Sequence, residues 1–266
     1  MTIQDLKQND LKSIIDLQPT DWSDILLNFE FYTNSEFCFP IKVIVDNKIV
    51  GVGTTIIHND ISWLAHIIVH KDYRNNGIGK LLTQTLVNNS RNKKCDSIYL
   101  IATDLGAIVY EKLGFETDTE YLFFKDIKSN SHWTKSKNIS LFSEDLKDQI
   151  INLDKLVSGE DSFFHIESHL KNGYVYKKDN LVEGFYLPSF GDGLIIAKTD
   201  SAGIELMKLR LLTKENAVFP SDNLIATAFM SHNNYKISAK AKRMRLGRKR
   251  PIFLSNIYNR IGGNLG

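Results

Sequence analysis

Residues 69–82, VHKDYRNNGIGKLL, constrain this chain more than any other stretch. An apolar run of strand character ends at Val69, a basic residue and two glycines spaced two apart follow, and helical spacing then begins. A strand that enters a helix through such a loop builds a recognisable anion site. Gly77 and Gly79 have no Cβ, so the backbone can approach a ligand closely. The helix start offers unbonded N–H groups and the positive end of its dipole. Taken alone, the loop fits equally well a simple glycine turn with an exposed arginine.

The flanking pattern predicts a mixed α/β layer. Helical spacing covers 9–17 and 22–32, and β-rich runs cover 41–45, 49–57 and 61–69, joined at DNK and HND. Joints this short predict an antiparallel meander. Helices follow at 77–89 and 105–113, on either side of a strand at 97–102, and 120–125 closes the sheet. The Ser-, Asn- and Lys-rich segment KSNSHWTKSKNIS predicts a linker at 128–140, between a first domain at 1–127 and a second at 141–266.

The halves echo each other. DNKIVGVG from Asp46 is matched by DNLVEGFY from Asp179, and IIVHKD from Ile67 by IIAKTD from Ile195, in the same order. This predicts a duplicated fold. Where the first copy has YRNNGIGK the second has SAGIELMK, without the basic residue and with one glycine fewer. If the loop binds phosphate, only the first copy does.

Two nucleotide motifs fail on spacing. A P-loop needs glycine where Arg74 stands and Ser or Thr where Leu81 stands; a dinucleotide fingerprint starting at Gly77 needs glycine at Leu82. What survives is Arg-x-x-Gly-x-Gly, followed downstream by DLGAIVYEKLGF, 104–115. Together these blocks resemble the GNAT superfamily of acetyl-CoA-dependent N-acyltransferases, over roughly residues 1–126.

The resemblance implies a mixed, mostly antiparallel sheet flanked by helices, with acetyl-CoA as co-substrate and no metal. It assigns the backbone of Arg74, Asn75, Asn76, Gly77, Ile78, Gly79 and Lys80 to the CoA pyrophosphate. It assigns the main chain of Ile67, Ile68 and Val69, at a bulge where this strand splays from the next, to the pantetheine arm and thioester carbonyl. The downstream motif adds Ala107 and Asp104 to the cofactor contacts and places Tyr110 beside the sulfur as proton donor. The family commonly has Asn where this chain has Asp104; a carboxylate accepts but does not donate, and an alternative is that Asp104 caps the helix.

Acyl transfer to an amine also needs a base or a water chain, because the amine is mostly protonated at pH 7. His66, three residues before Val69, is the candidate base, and a packed core histidine is the alternative; Glu30 and Glu36 are comparable candidates.

The second half resembles the smaller, degenerate GNAT-like α/β domain fused behind an acetyltransferase domain in some bacterial proteins. LVSGEDSFF from Leu156, GFYL from Gly184 and RMRLGRK from Arg243 carry this resemblance. Relatives usually have Arg after the Asp of the first block, where this chain has Ser162 after Asp161. HIESH puts His165 and His169 at i and i+4 without a zincin glutamate or third ligand, which predicts a surface helix. The run 236–250 has eight basic residues and no acid, yet AKAKRMRL alternates polar and apolar as an edge strand with one wet face does.

The net charge of +2 gives no global pull toward nucleic acid or membrane. No apolar run approaches the roughly 18 residues of a spanning helix, and two cysteines, Cys38 and Cys95, are too few for a disulfide framework. These features predict a cytoplasmic protein with nucleic acid disfavoured as a partner and a homodimer open to it, and the resemblance implies an enzyme that acetylates a small-molecule or peptide amine. A non-catalytic acyl-CoA sensor and an interaction module built on the basic C-terminal run are the alternatives.

Overall fold

The computed structural model describes all residues except 21, 23, 131, 132, 161 and 162. The Asp161–Ser162 departure therefore lies outside the described residues. Elements run β1 (Thr2–Asp5), a 3-10 helix (Gln8–Leu17), α1 (Ile25–Asn34), β2 (Cys38–Val45), β3 (Lys48–His58), β4 (Ile61–Val69), α2 (Ile78–Asn92), β5 (Ser97–Ala102), α3 (Asp104–Glu111) and β6 (Glu116–Phe124). There follow β7 (Ile139–Leu141), α4 (Lys147–Ser158), α5 (Phe163–Leu170), β8 (Tyr174–Lys178), β9 (Leu181–Leu187), β10 (Leu194–Ala197), α6 (Asp200–Leu211), β11 (Ala217–Pro220), α7 (Leu224–His232), β12 (Ile237–Gly247) and β13 (Ile257–Asn259).

The chain forms two compact units that share its C-terminal segment. The first contains Met1–Thr117, Met244–Lys249 and Gly263–Leu265; the second contains Asp118–Arg243, Arg250–Gly262 and Gly266.

In the first unit β1, β2, β3 and β4 pair antiparallel in order, and β5 joins β4 in parallel. The β2–β3 hairpin turns on Asp46 and Asn47, both left-handed at φ 47° and 61°, the geometry of a type I′ turn. α2 lays Ile78, Leu82 and Leu86 on a core that includes Val43, Val50, Leu64 and Leu100.

Beyond β5 the unit is completed from far along the chain: Met244 of β12 is fully buried in this same core. Gly247 ends the strand at φ 92°, so close to the Asp96 carbonyl that a Cβ would collide with it. Ser97 Oγ donates to the Arg248 carbonyl at 2.8 Å, and Arg245 pairs with Glu116 at 2.8 Å. The expectation of an edge strand at 236–250 is thus corrected. β12 has β5 and β6 as neighbours, and its Arg245 meets Glu116.

The second unit has the antiparallel order β13-β10-β9-β8-β7, with β11 paired to β6. Its β8–β9 hairpin repeats the first turn: Asp179 and Asn180 stand at φ 51° and 63°. Thr199 caps α6 by accepting from the Ala202 N–H, and Leu206, Met207 and Phe219 lie in the core. α5 carries the HIESH histidines, with His165 buried and His169 Nδ1 at 2.9 Å from Ser189 Oγ. His165 lies on the buried face of α5 with Ile166 and Leu170, while Phe164, Glu167 and Ser168 are exposed, so α5 is a surface helix as expected.

Candidate active site

The centre of the first unit is a place where two strands part. β4 and β5 pair at Ile61 with Ser97, Ser62 with Ile98 and Trp63 with Tyr99, and pairing stops there although both strands continue. From Leu64 onward the β5-facing backbone groups of β4 have no ladder partner among the described residues, so they are available to a ligand.

On the other side of β4, Val52 faces Ile68 and Thr54 faces Ala65, so His66 and Ile67 together oppose the single residue Gly53. This is a β-bulge, with His66 left-handed at φ 49°. Gly53 makes room for it: a Cβ there would lie 2.9 Å from Leu86 Cδ1 and 3.4 Å from Ile67 Cγ1. The main chain of Ile67, Ile68 and Val69 leaves the bulge toward the glycine loop.

That loop is exposed from Arg74 to Gly77. Asn75 and Gly77 are left-handed at φ 64° and 78°, and Gly77 is the N-cap of α2. Successive turns of this kind direct N–H groups outward, and the first N–H groups of α2, at Ile78, Gly79 and Lys80, have no intrahelical acceptor. Arg74 Nε donates to the Val69 carbonyl at 3.3 Å and the Asn76 amide donates to the Arg74 carbonyl at 3.2 Å, so the side chains brace the loop.

The two glycines differ in what the chain demands of them. At Gly77 the positive φ favours glycine. At Gly79 the backbone is helical, and a Cβ would meet only Val69 Cγ2 at an ordinary 3.8 Å. Glycine in a helix costs about 1 kcal/mol relative to alanine. Packing gives no reason for glycine at 79, whereas close approach of an anion to the backbone does.

α3 stands after β5. Thr103, not Asp104, caps it: Thr103 Oγ1 accepts from the Gly106 N–H at 3.3 Å. Asp104 is exposed in the first turn, where its carboxylate favours the helix dipole. Ala107 is buried in the core. Tyr110 packs against the same core, and burial, with no hydrogen bond to its hydroxyl among the described residues, pushes its pKa up to about 12.

His66 lies among aromatic rings, with Tyr32, Trp22 and Phe29 centroids at 5.6, 5.7 and 5.9 Å. Its Nδ1 is 2.9 Å from the Tyr32 hydroxyl, and burial lowers its pKa to about 4. At neutral pH it is an uncharged and weakly basic imidazole. Glu30 and Glu36 are exposed. Tyr32 and Asn264, whose amide Nδ2 donates to the Tyr32 hydroxyl at 3.2 Å, escaped sequence reasoning. No local pattern links residues 232 apart.

In the second unit the corresponding features are closed. β10, the counterpart of β4 by its IIAKTD sequence, pairs with β13 where β4 opens. Asp200 stands in the first turn of α6, and the Tyr258 hydroxyl donates to its carboxylate at 3.3 Å.

Residues 36–117 match the family model of the acetyltransferase (GNAT) domain. The uncharacterized protein YyaT of Bacillus subtilis is 32% identical over 91 residues, which are 34% of this chain and 62% of that protein. A Pyrococcus horikoshii protein described provisionally as an acetyltransferase superposes with a TM-score of 0.83 at 19% identity, covering 100% of this chain and 95% of its own. A tandem GNAT protein from the clavulanic acid biosynthesis pathway superposes at 0.65 with 11% identity, covering 94% and 99%. These two likenesses establish the fold.

Proposed function

We propose that the protein is an N-acetyltransferase that moves an acetyl group from acetyl-CoA to a primary amine by direct attack, and that its reaction centre lies where β4 parts from β5. The observation that carries this reading is Gly79: a helical glycine with room for a side chain, at an exposed helix N-terminus directly after the splayed strand. The residues present fit the cofactor. The N–H groups of Gly77, Ile78, Gly79 and Lys80 face an anion at the start of α2, and the Lys80 ammonium adds positive charge.

Bound acetyl-CoA supplies the activated acyl group as a thioester. On the side that β5 leaves open, the main chain of Ile67, Ile68 and Val69 aligns the pantetheine amides as an added strand would and directs an N–H at the carbonyl oxygen as it gains charge. Tyr110 keeps its proton across the working range and donates a hydrogen bond to the departing sulfur. His66 is too weakly basic to hold an amine proton at neutral pH. In this reading it orients the acceptor, which enters as the neutral amine after losing its proton to solvent. Asp104 and Ala107 frame the cofactor side from α3.

We assign catalysis to the domain at 1–127, completed by Met244–Lys249, and a structural role to the degenerate domain at 141–266. Among the described residues no helix is long and apolar enough to cross a membrane, and Cys38 and Cys95 are buried free thiols, which suits a cytoplasmic protein. The basic run does not favour an interaction module, because Lys240, Arg245 and Arg248 each face an acid, Glu120, Glu116 and Asp96. The weak basicity of His66 favours a second reading, an acyl-CoA sensor without turnover. Titration calorimetry with acetyl-CoA and an amine-library screen that follows released thiol separate the two. Binding with thiol release supports the transferase, binding without release in every amine supports the sensor, and no binding removes both.

A further inference from the structure

The Tyr32 hydroxyl joins two side chains from opposite ends of the first unit. It has two hydrogen-bond partners among the described residues: the Asn264 amide Nδ2 at 3.2 Å and His66 Nδ1 at 2.9 Å. Asn264 donates, so it occupies a lone pair on the phenolic oxygen and leaves the single O–H for His66. The ring nitrogen that receives it must carry a lone pair. His66 is then neutral, with its own proton on Nε2, and no residue among those described accepts that proton.

Three observations hold this arrangement in place. Tyr32 is fully buried on α1, so its hydroxyl cannot turn to water. His66 sits at the left-handed position of the bulge, which sets the direction of its Cβ. Edge contacts from Trp22 and Phe29 restrict the imidazole plane.

We propose that Asn264 is a positioning residue that, through Tyr32, holds His66 as the Nε2–H tautomer, so that His66 presents a hydrogen-bond donor to the amine-bearing substrate. The amine attacks through its lone pair, and in the approach an N–H donor from His66 orients a neighbouring acceptor atom of the substrate rather than removing a proton. A substrate whose reactive amine has a hydroxyl, ether or carbonyl oxygen nearby is the class this donor selects. That role toward the amine rests on the transferase reading above; the tautomer itself does not.

The test uses the full chain with ¹⁵N-labelled histidine, reading the two His66 ring nitrogens by long-range proton–nitrogen correlation. The wild type is expected to show a protonated Nε2 and a bare Nδ1. In Asn264→Asp the carboxylate only accepts, the Tyr32 O–H turns toward it, and the His66 proton moves to Nδ1. Tyr32→Phe, which keeps the buried ring, is expected to give a mixture of tautomers. For an oxygen-bearing amine substrate, Asn264→Asp raises KM about tenfold, the loss of one hydrogen bond to the substrate, while KM for acetyl-CoA stays within about twofold. A wild-type protonated Nδ1, or an unchanged tautomer in both variants, overturns the proposal. The spectra decide it even if no amine is acetylated, and acetylation with unchanged spectra leaves the transferase reading intact while removing this one.

Discussion

The ring of Tyr258 rests directly on the backbone of Gly203, filling the space that any side chain at 203 would need. Gly203 lies in the first turns of α6, as Gly79 does in α2. One glycine is filled from within the protein and the other is left open. A single acetyl-CoA per chain is the expected stoichiometry in titration calorimetry, and a second equivalent binding event would show that the second unit retains a site.

Gly203→Ala forces a methyl into the Tyr258 ring and is expected to lower stability by about 1–3 kcal/mol, the usual cost of overpacking. Urea denaturation measures it. Gly203→Ala combined with Tyr258→Ala is expected to lose less than the sum of the two single changes.

Gly79→Ala acts in the opposite direction on folding. Its methyl meets only Val69 at van der Waals distance, so the variant is expected to gain about 0.5–1 kcal/mol in stability from helix propensity. Affinity for acetyl-CoA is expected to fall at least about tenfold, as the methyl stands between backbone and phosphate. A more stable protein with unchanged affinity would remove the cradle from the cofactor site.

Tyr110→Phe is expected to lower turnover by about 10²-fold with little change in acetyl-CoA affinity, the scale of losing one positioned acid. Burial raises the Tyr110 pKa from 10.0 to about 12. A raised folded value contributes stability that is fully present below pH 10 and is lost as pH climbs toward 12. Rate profiles should therefore show no Tyr110-dependent decline below about pH 10.

His66 titrates with the opposite sign. Burial depresses its pKa from 6.5 to about 4, so between those values the unfolded chain takes up a proton that the folded chain does not. Stability is fully present above pH 6.5 and falls as pH drops toward 4, by at most about 3 kcal/mol. His66→Asn keeps a residue that tolerates the left-handed backbone and cannot titrate, and it should flatten this part of the profile. Chemical denaturation from pH 4 to 7 reads the difference.

Gly247→Val tests the strand delivered from the far end of the chain. Gly247 combines φ 92° with a Cβ that would collide with the Asp96 carbonyl, so the substitution is expected to displace Met244 from the core and cost several kcal/mol. Hydrogen exchange should then rise in β5.

Much of the first unit was legible because its signals are local. Asp46–Asn47 specify a turn by their tolerance of left-handed backbone, and the hairpin forms there; the echoing Asp179–Asn180 of the second unit turn in the same way. The strand 61–69 and the helix after Gly77 follow from periodicity, and each appears within a few residues of its expected bounds. Capping was read less well. Thr103 and Asp104 are both capping types, and only the backbone shows that Thr103 is the half-in residue.

By itself the sequence determined the hairpins, the glycine loop, the helix it opens and the family motif, because each depends on residues a few positions apart. Tertiary structure alone decided that β12 belongs beside β5, that Tyr258 closes Gly203, and that Asn264 reaches His66 through Tyr32. These contacts join segments from 34 to 232 residues apart. Their partners are chosen by burial and hydrogen-bond satisfaction across the whole folded unit, which leaves no periodic trace in the chain.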